Sequence, residues 1–487
     1  MCFRGKAVSL QSMRARQVLI FLLGVFALIG AGWLAFPADG VPAGPVTLRF
    51  PSFAKMAAEA REKKVDVDSV LQAVQARFAM EEDTLGHYRR FFYENPDRIF
   101  LPGDDYTFFD DLFQKMEHTD TGILRVVHYG DSQIEMDRMS QDLRDALQER
   151  FGGIGTGMFP ALSNVPSASI SRYSEGGFTQ YTMYGDSTTQ RAGHSRYGPM
   201  AQVVQMSGGG VISLRATRNK TARERTKTFQ TVSLLYGRGS TGFSARVTSD
   251  QQRPEPDVKK LPSGTTLMRW TFDQPVDKAR MVLGGNAEIY GISTDGTSGV
   301  AVDNIPLRGC SGTIFTRING SLMAESLELE NAGLIILQFG GNFMPVATSS
   351  KVISSYCETI AEQIQYFHQA APEAKILFIG PSDMGTSRNG RIVTRPRLPE
   401  MVDSLKATAL RNDAAYWDLY RMMGGENSMV QWVKHQPPYA GADYTHFTPA
   451  GAQKVGEALS RSFLTYYDFF RLRETIPEKR VKAVVHP

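Results

Sequence analysis

The feature that most constrains the fold is an apolar strand that ends abruptly in Gly-Asp-Ser. In VVHYGDSQIEMDRMSQDLRDALQERF, residues 126–151, the apolar run stops at Gly130, and Asp131 and Ser132 follow. Behind them a helical pattern places apolar side chains on one face, at Met139, Leu143, Leu147 and Phe151. A strand followed at once by a helix is the repeating unit of an α/β domain with a parallel sheet. We therefore expect a helix that begins directly behind Ser132.

The same alternation of strand and helix returns in the last third of the chain. The apolar runs GLIILQFG and AKILFIGPSD each precede a helical stretch, and a final helix is expected from Thr448. Between them and the first strand, short runs of β composition are separated by turn residues, which is typical of a β-sandwich. We predict one α/β domain with helices on both faces of a parallel sheet, interrupted by an inserted all-β module of jelly-roll or sandwich type.

These changes of pattern give the predicted boundaries. They are a basic leader (1–17), an apolar segment (18–36), a tether and helical region (37–119), the first part of the α/β domain (120–164), the inserted module (165–296), the second part of the α/β domain (297–470) and a tail (471–487). The helical region rests on VDSVLQAVQARFAM, whose apolar residues recur near the helical period.

The excess of basic residues is confined to the start of the chain. The formal net charge is +4, from 54 basic and 50 acidic residues. Four unopposed basic residues, Arg4, Lys6, Arg14 and Arg16, lie ahead of the first apolar run and account for the whole excess. The remainder of the chain is balanced, so a nucleic-acid partner is not expected.

The apolar run that follows, VLIFLLGVFALIGAGWLAF at 18–36, has no charged residue. At about 1.5 Å per residue it would roughly match a bilayer core of about 30 Å. Together with the basic leader, it predicts a single-pass anchor in a bacterial inner membrane, with a cytoplasmic N-terminus and the catalytic domain in the periplasm. A cleaved signal peptide is the alternative.

Ser132 can be interpreted as a helix cap or as a nucleophile. A second copy of the motif, at 185–187, has no apolar strand before it and no helix after it, and we interpret that copy as a surface turn. An N-cap serine needs no partners elsewhere. A nucleophile needs a histidine base, an orienting acid and donors for an oxyanion at the ends of other strands.

Such residues are present in three later stretches. GADYTHFTPAGAQKVGEAL holds Asp443 and His446, three positions apart, so that the carboxylate could hold the imidazole in one tautomer. QFGGNFM places Gly341 and Asn342 after an apolar strand, and the amide could donate to an oxyanion. VDNIPLRGCSG contains Gly309, whose N–H could approach a substrate closely because glycine has no side chain.

Ser132, Gly309, Asn342 and His446, in this order and with Asp443 ahead of the histidine, resemble the sequence blocks of SGNH or GDSL-type hydrolases. The resemblance covers about 120–160 and 297–466. With the apolar N-terminal segment and the inserted module, the chain is most similar to bacterial membrane-anchored peptidoglycan O-acetylesterases. It departs from the family pattern at two positions: Gln133 stands where many members have Leu, and Phe343 replaces the usual Asp after the asparagine.

The resemblance implies a flavodoxin-like SGNH fold and a serine esterase. Ser132 would attack an ester carbonyl, His446 would take its proton, and Asp443 would stabilise the imidazolium. The N–H groups of Ser132 and Gly309 and the amide of Asn342 would form the oxyanion hole. No metal and no organic cofactor are expected. A metal site built from Asp443, His446 and His435 is the disfavoured alternative.

The implied substrate is an O-acetylated polysaccharide of the cell envelope, peptidoglycan first, with Gln133, Gly341 and His435 as candidate substrate-binding residues. Two alternatives use the same triad: an O-acetyltransferase and a lipid or thioester acylhydrolase. A further alternative is a non-catalytic anchored carbohydrate-binding protein.

Several residues have two interpretations. Tyr236, Trp270 and Tyr290 in the inserted module could contact carbohydrate or fill its core. The basic stretch 215–227 could meet an anionic polymer or form an exposed loop. His128 is expected to pack at the strand end, and the three cysteines predict no disulfide framework, although Cys310 and Cys357 could pair.

Overall fold

The computed structural model describes residues 15–35, 40–48, 84–162, 166–186, 188–218 and 222–485. The chain divides into two compact units, Met1–Leu85 and Gly86–Pro487. The first unit contains helix α1 (Ala15–Ala35) and an antiparallel pair of strands, β1 (Val41–Ala43) and β2 (Val46–Leu48). The predicted helical stretch VDSVLQAVQARFAM lies outside the described residues.

The predicted membrane anchor requires a correction. Within the described part of the chain, no helix is both long enough and apolar enough to cross a membrane. The predictions of a single-pass anchor at 18–36, of membrane contact through it and of a periplasmic catalytic domain are therefore wrong.

The next elements lead up to and past the Gly-Asp-Ser motif. They are α2 (84–94), β3 (Ile99–Phe100), α3 (Asp110–Glu117), β4 (Ile123–Gly130) and α4 (Ser140–Phe151). Helix α4 buries the predicted apolar residues Leu143 and Leu147. It does not begin directly behind Ser132, because a 3₁₀ segment, Ser132–Asp137, lies between the strand and the helix.

The delayed start of α4 has a cause in the backbone. Met136, Asp137 and Met139 have φ angles of 59°, 63° and 61°, in the left-handed region that a right-handed helix cannot contain. Asp137 is nevertheless fixed, since Arg144 donates two hydrogen bonds to its carboxylate, at 2.6 and 2.8 Å. The ion pair is buried and therefore holds the turn that redirects the chain into α4.

An antiparallel module follows. Its described strands are β5 (Gly155–Phe159), β6 (Ile170–Thr182), β7 (Gln202–Ala216), β8 (Phe229–Gly237), β9 (Ser244–Thr248), β10 (Pro256–Lys260), β11 (Thr266–Val276), β12 (Lys278–Gly284) and β13 (Ala287–Asp295). They form one hydrogen-bonded sheet in the order β10-β11-β8-β13-β7-β12-β9, with β5 paired to β13 and β6 paired to β7. The module thus includes Gly155–Phe159, which precedes the predicted insert.

The α/β pattern then resumes and continues to the C-terminus. Its elements are β14 (Gly299–Pro306), α5 (Gly320–Leu329), β15 (Ala332–Gln338), α6 (Ser350–Ala370), β16 (Lys375–Ile379), β17 (Gly385–Arg388), β18 (Arg391–Thr394), α7 (Leu398–Arg411), β19 (Ala415–Trp417), α8 (Leu419–Met422), α9 (Ser428–Lys434), α10 (Pro449–Arg473) and α11 (Glu478–Val485). A six-stranded sheet has the order β14-β4-β15-β16-β19-β3, in which the first five strands are parallel. The predicted fold class is confirmed: a parallel α/β sheet interrupted by a large β module.

Helices cover both faces of the parallel sheet. On one face Val127 and Tyr129 of β4 belong to the same buried cluster as residues of α5, α6 and α7. On the other face α3 packs against α10, with the rings of Phe113 and Phe463 centred 5.3 Å apart. The strands β4, β15 and β16 are aligned so that Gly130, Gln338 and Ile379 end them at one edge. The loops that follow these strands therefore emerge side by side.

A buried ionic cluster joins the parallel sheet to the antiparallel module. Arg125 of β4 is fully buried and contacts three buried carboxylates: Asp303 of β14 at 2.7 Å, Asp295 of β13 at 2.8 Å and Glu330 at 2.8 Å. Asp303 also accepts a hydrogen bond from the Met158 N–H in β5, at 2.7 Å. Burial raises the pKa of both Asp303 and Glu330, and the Arg125 charge opposes that effect.

We predict that Arg125→Met destabilises the fold strongly. Removing the cation leaves three carboxylates without it in a buried site, and breaking a buried ion pair typically costs about 3–5 kcal/mol. Arg218→Met is the control, since Arg218 pairs with Asp277 at the surface, where about 1 kcal/mol or less is at stake. Equilibrium unfolding in urea measures both changes in the free energy of unfolding. Equal losses in the two variants would contradict the prediction.

Candidate active site

Ser132 lies in the loop that follows β4, at the carboxyl edge of the parallel sheet. Its Oγ is 2.8 Å from Nε2 of His446, although the two residues are 314 positions apart in the chain. The other ring nitrogen of His446, Nδ1, is 2.7 Å from Oδ2 of Asp443. The three side chains thus form one continuous hydrogen-bonded series. About half of the side-chain surface of His446 and of Asp443 is exposed, so the series opens towards solvent.

Asp443 is held in place by its own loop. Its Oδ1 accepts hydrogen bonds from the backbone N–H groups of Thr445 and His446, at 3.0 and 3.1 Å. Tyr444, which lies between Asp443 and Thr445, has a φ of 54°, and this turn brings the Asp443 carboxylate back to the imidazole of His446. Partial burial disfavours the ionised carboxyl, but the hydrogen bonds from His446 and Thr445 outweigh it and keep the pKa of Asp443 below its ordinary value. The carboxylate is therefore ionised at neutral pH.

The amide of Asn342 is oriented by the aspartate of the Gly-Asp-Ser motif. Asn342 Nδ2 donates to Oδ2 of Asp131 at 2.9 Å and to the carbonyl oxygen of Cys310 at 3.3 Å. Asp131 also accepts from the backbone N–H of Gln133 at 2.9 Å. No residue was predicted to orient the Asn342 amide, and the structure gives that contact to Asp131. The signal that could have found it is the Asp of the motif itself, one residue before the serine.

The Asp131 carboxyl is buried, with 5% of its surface exposed. Burial raises its pKa from 3.8 to about 6, against the hydrogen bond from Gln133, the charge of His446 and the hydrogen bond from Asn342. At neutral pH the group is therefore mostly ionised, and it acts as the acceptor that holds the Asn342 amide.

Two side chains connect the Ser132 loop to the His446 loop. Gln133 donates from its amide to the carbonyl oxygen of Thr445, at 2.6 Å, and accepts from the N–H of Phe447, at 3.4 Å. Arg138 donates to the carbonyl oxygens of Phe447, at 3.1 Å, and Ser132, at 3.4 Å. Gln133 was predicted to bind substrate, but its polar atoms are engaged by the protein. These contacts indicate that Gln133 and Arg138 fix the distance between Ser132 and His446.

A small cavity of about 70 Å³ lies at Ser132 and His446. Its walls include the predicted residues Gln133, Gly341 and Asn342, together with Asp131, Ser382 and Met384.

Gly309, by contrast, lines a separate cleft of about 640 Å³, beside Arg308 and residues of the inserted module such as Gln180 and Thr182. Gly309 is exposed and has a φ of 72°, and an added Cβ would meet nothing within 4 Å.

The remaining candidates lie away from the series. His435 is exposed, stacks on Tyr439 with ring centres 3.8 Å apart, and is not part of the cavity wall. His128 is fully buried between Gln338 and Ser140, and burial lowers its pKa to about 4, as suits a packed histidine. Cys310 is a free buried thiol whose pKa burial raises to about 11. Among the described residues, no group of His, Cys, Asp or Glu is arranged to hold a metal ion.

The aromatic residues considered for carbohydrate contact are in the core. Tyr236, Trp270 and Tyr290 have 8%, 0% and 3% of their surface exposed. Ser187 of the second Gly-Asp-Ser copy lies outside the described residues.

No protein-family model matches this sequence, and no curated protein matches it. Among solved structures, that of a peptidoglycan O-acetylesterase is similar: it is 18% identical, with 75% of this chain and 97% of the other covered at a TM-score of 0.60. An acetyl xylan esterase structure is 13% identical and covers 34% of this chain and 81% of its own, at a TM-score of 0.27. A second, from Geobacillus stearothermophilus, is 15% identical and covers 35% of this chain and 73% of its own, at a TM-score of 0.25. The first likeness shows that the chain has the SGNH-hydrolase fold with an inserted β module.

We predict that Asp131→Asn changes the pH dependence of stability. A carboxyl with a folded pKa of about 6, above its ordinary 3.8, is favoured by folding in its protonated form. The wild-type chain should therefore lose stability relative to Asp131→Asn as the pH rises from 4 through 6, by on the order of 3 kcal/mol. Urea unfolding of both proteins at pH 4 and pH 7.5 measures this difference. A difference that is the same at both pH values would refute the assignment.

Proposed function

We propose that this protein is a serine carboxylic ester hydrolase that removes O-acetyl groups from a polysaccharide, with peptidoglycan as the first candidate. One observation carries the proposal: Ser132, His446 and Asp443 form a solvent-open hydrogen-bonded series at the carboxyl edge of a parallel sheet. A helix cap would not need the other two residues. The likeness of the fold to that of a peptidoglycan O-acetylesterase supports the reaction class.

Acylation follows from the positions of these three side chains. Ser132 Oγ attacks the acetyl carbonyl carbon while Nε2 of His446 takes its proton. Asp443 stabilises the imidazolium through Nδ1. The tetrahedral intermediate then breaks its bond to the sugar oxygen, which leaves as a hydroxyl with the proton from His446. Water repeats the sequence on the acetyl-serine and releases acetate.

The oxyanion of the intermediate is assigned to the N–H groups of Ser132 and Gly309 and to the Asn342 amide. Asn342 has two N–H bonds, and the one that points to Asp131 is the shorter and charge-assisted contact. The 3.3 Å contact with the Cys310 carbonyl is the weaker one. The proposal is that an oxyanion replaces the Cys310 carbonyl, while Asp131 continues to hold the amide.

The cavity favours a small acyl group. One water needs about 10–15 Å³ of cavity volume, so a cavity of about 70 Å³ is large enough to hold an acetyl group. The neighbouring cleft of about 640 Å³ includes hydrogen-bonding side chains in its walls, among them Gln180, Thr182 and Arg308. These side chains can bond the hydroxyl groups of a sugar leaving group.

We predict a graded loss of activity in the site variants. Ser132→Ala and His446→Ala should lower kcat by about 10⁴–10⁶, since each removes a group that acts in every step. Asn342→Ala should lower kcat by about 10²–10³, as for the loss of one oxyanion donor. The loss of kcat in Asp443→Ala should depend on how far water replaces the carboxylate. Release of acetate from p-nitrophenyl acetate and from O-acetylated peptidoglycan, by the full chain, measures the series.

Ser187→Ala is the matched control, because it changes the serine of the second Gly-Asp-Ser copy. If it lowered kcat as much as Ser132→Ala, the nucleophile would be wrongly assigned. Serine-dependent release from the small ester alone would keep the esterase and exclude peptidoglycan. Acetyl transfer to an added chito-oligosaccharide would favour the O-acetyltransferase, and faster cleavage of p-nitrophenyl octanoate would favour a lipid substrate. No serine-dependent release at all would favour the binding protein.

A separate prediction concerns Gln133. Gln133→Ala removes the contacts that hold the backbone on both sides of His446, so it should lower kcat by about tenfold to 10² with little change in KM. Gln205→Ala is the control, since the side chain of Gln205 bonds to His194 of the inserted module, at 3.3 Å, away from Ser132 and His446. A rise in KM at unchanged kcat would instead show that Gln133 binds substrate.

A further inference from the structure

One surface of the antiparallel module, here called the outer face, consists of side chains that point away from its core. The strand register aligns Tyr173 of β6 with Ser213 of β7, Ser213 with Arg280 of β12, and Arg280 with Thr248 of β9. The adjacent rows contain Ser171, Arg215 and Lys278 on one side and Glu175, Val211, Val282 and Arg246 on the other. The intervening residues Ile212, Leu214, Val247 and Met281 are buried.

The outer face carries an excess of positive charge. Lys278 pairs with Asp250 at 2.6 Å. Within the described residues, Arg215, Arg246 and Arg280 have no acidic side chain within 4.0 Å, and Glu175 is the one acidic residue in the three rows. Three guanidinium groups are thus available to an anionic ligand.

Among its described residues, the basic stretch at 215–227 contributes Arg215 to this face. Arg218 pairs with Asp277, Arg223 with Asp142 and Lys227 with Glu224, so these cations are already neutralised. Arg215 lies in the register row of Ser171 and Lys278 and is exposed.

The shape and chemistry of the face suit a sugar chain. A cleft of about 530 Å³ lies over it, with Tyr173, Ser213, Thr248 and Arg280 in its wall. Tyr173 is 68% exposed, so its ring is free to stack on the apolar face of a sugar ring. Hydroxyl groups beside guanidinium groups can bond both the hydroxyls and the carboxylates of such a chain.

We propose that the outer face is a second binding site, for a glycan that carries carboxylate groups. Tyr173 stacks on a sugar ring, Arg215 and Arg280 pair with carboxylates, and Ser213 and Thr248 bond sugar hydroxyls. The site goes beyond the proposed reaction, because none of the residues that line it also lines the cavity at Ser132. A single-stranded nucleic acid fits less well, since its bases need several stacking rings and this face offers Tyr173 alone in its described rows.

Affinity electrophoresis of the full chain tests the site. The probes are polygalacturonate and its methyl-esterified form, which has the same backbone without the free carboxylates. We expect retardation by polygalacturonate only, with the dissociation constant raised about tenfold in Tyr173→Ala and at least as much in Arg215→Ala/Arg280→Ala. Arg391→Ala, at an exposed arginine of β18, is the matched control and should bind as the wild type does. Hydrolysis of p-nitrophenyl acetate should be unchanged in all of these variants.

Three results would overturn the proposal. They are equal retardation by the esterified polymer, unchanged binding in the Tyr173 and arginine variants, and equally tight binding of a single-stranded DNA that depends on the same arginines. Hydrolysis without glycan binding would remove this site and leave the esterase in place. Glycan binding without hydrolysis would remove the esterase and leave this binding site in place. The two proposals can therefore fail separately.

Discussion

The organisation of the protein depends on one buried cation. Arg125 draws together carboxylates from β13, from β14 and from the turn after α5, and none of these charges has access to water. Because an uncompensated charge in such a place is costly, these elements are favoured only as a set. Asp295 belongs to the antiparallel module, whereas Arg125 lies in the strand that leads to Ser132. The antiparallel module is thus joined through this buried ion pair to β4, the strand that leads to Ser132.

A second set of contacts turns that framework into a site. Ser132 and His446 reach 2.8 Å only if two loops far apart in the chain are held together, and Gln133 and Arg138 do this by bonding to the backbone of the opposite loop. Arg138 can point back because the chain reverses through left-handed residues on either side of it. That reversal is an unfavourable conformation, and the buried Asp137–Arg144 pair offsets it. The buried ion pair therefore stabilises the turn, and the turn places Arg138 where it helps to set the distance between Ser132 and His446.

The sequence predicted what depends on strand order and missed what depends on side-chain direction. Ser132 and Asn342 could be placed together because each follows an apolar strand, and parallel strands end at one edge. The start of α4 could not be read, since a helical apolar pattern does not reveal left-handed residues ahead of it. The burial of Trp270 could not be predicted either, because composition does not say which face of a strand points inward. The position of His435 could not be predicted because its loop leads away from the cavity. The catalytic roles of the site residues stay predictions, as does the exact extent of each domain.

Phe343 stands where the resemblance predicts an aspartate. The Asn342 amide is oriented by Asp131, in the segment after β4. Phe343 stacks on Tyr356 with ring centres 4.0 Å apart and planes 9° from parallel. The hydroxyl of Tyr356 donates to the carbonyl oxygen of Ser311 at 2.6 Å, in the segment that follows Gly309. Because Asn342 also contacts the neighbouring Cys310 carbonyl, the two loops assigned to the oxyanion are connected twice, and a shift of one would move the other.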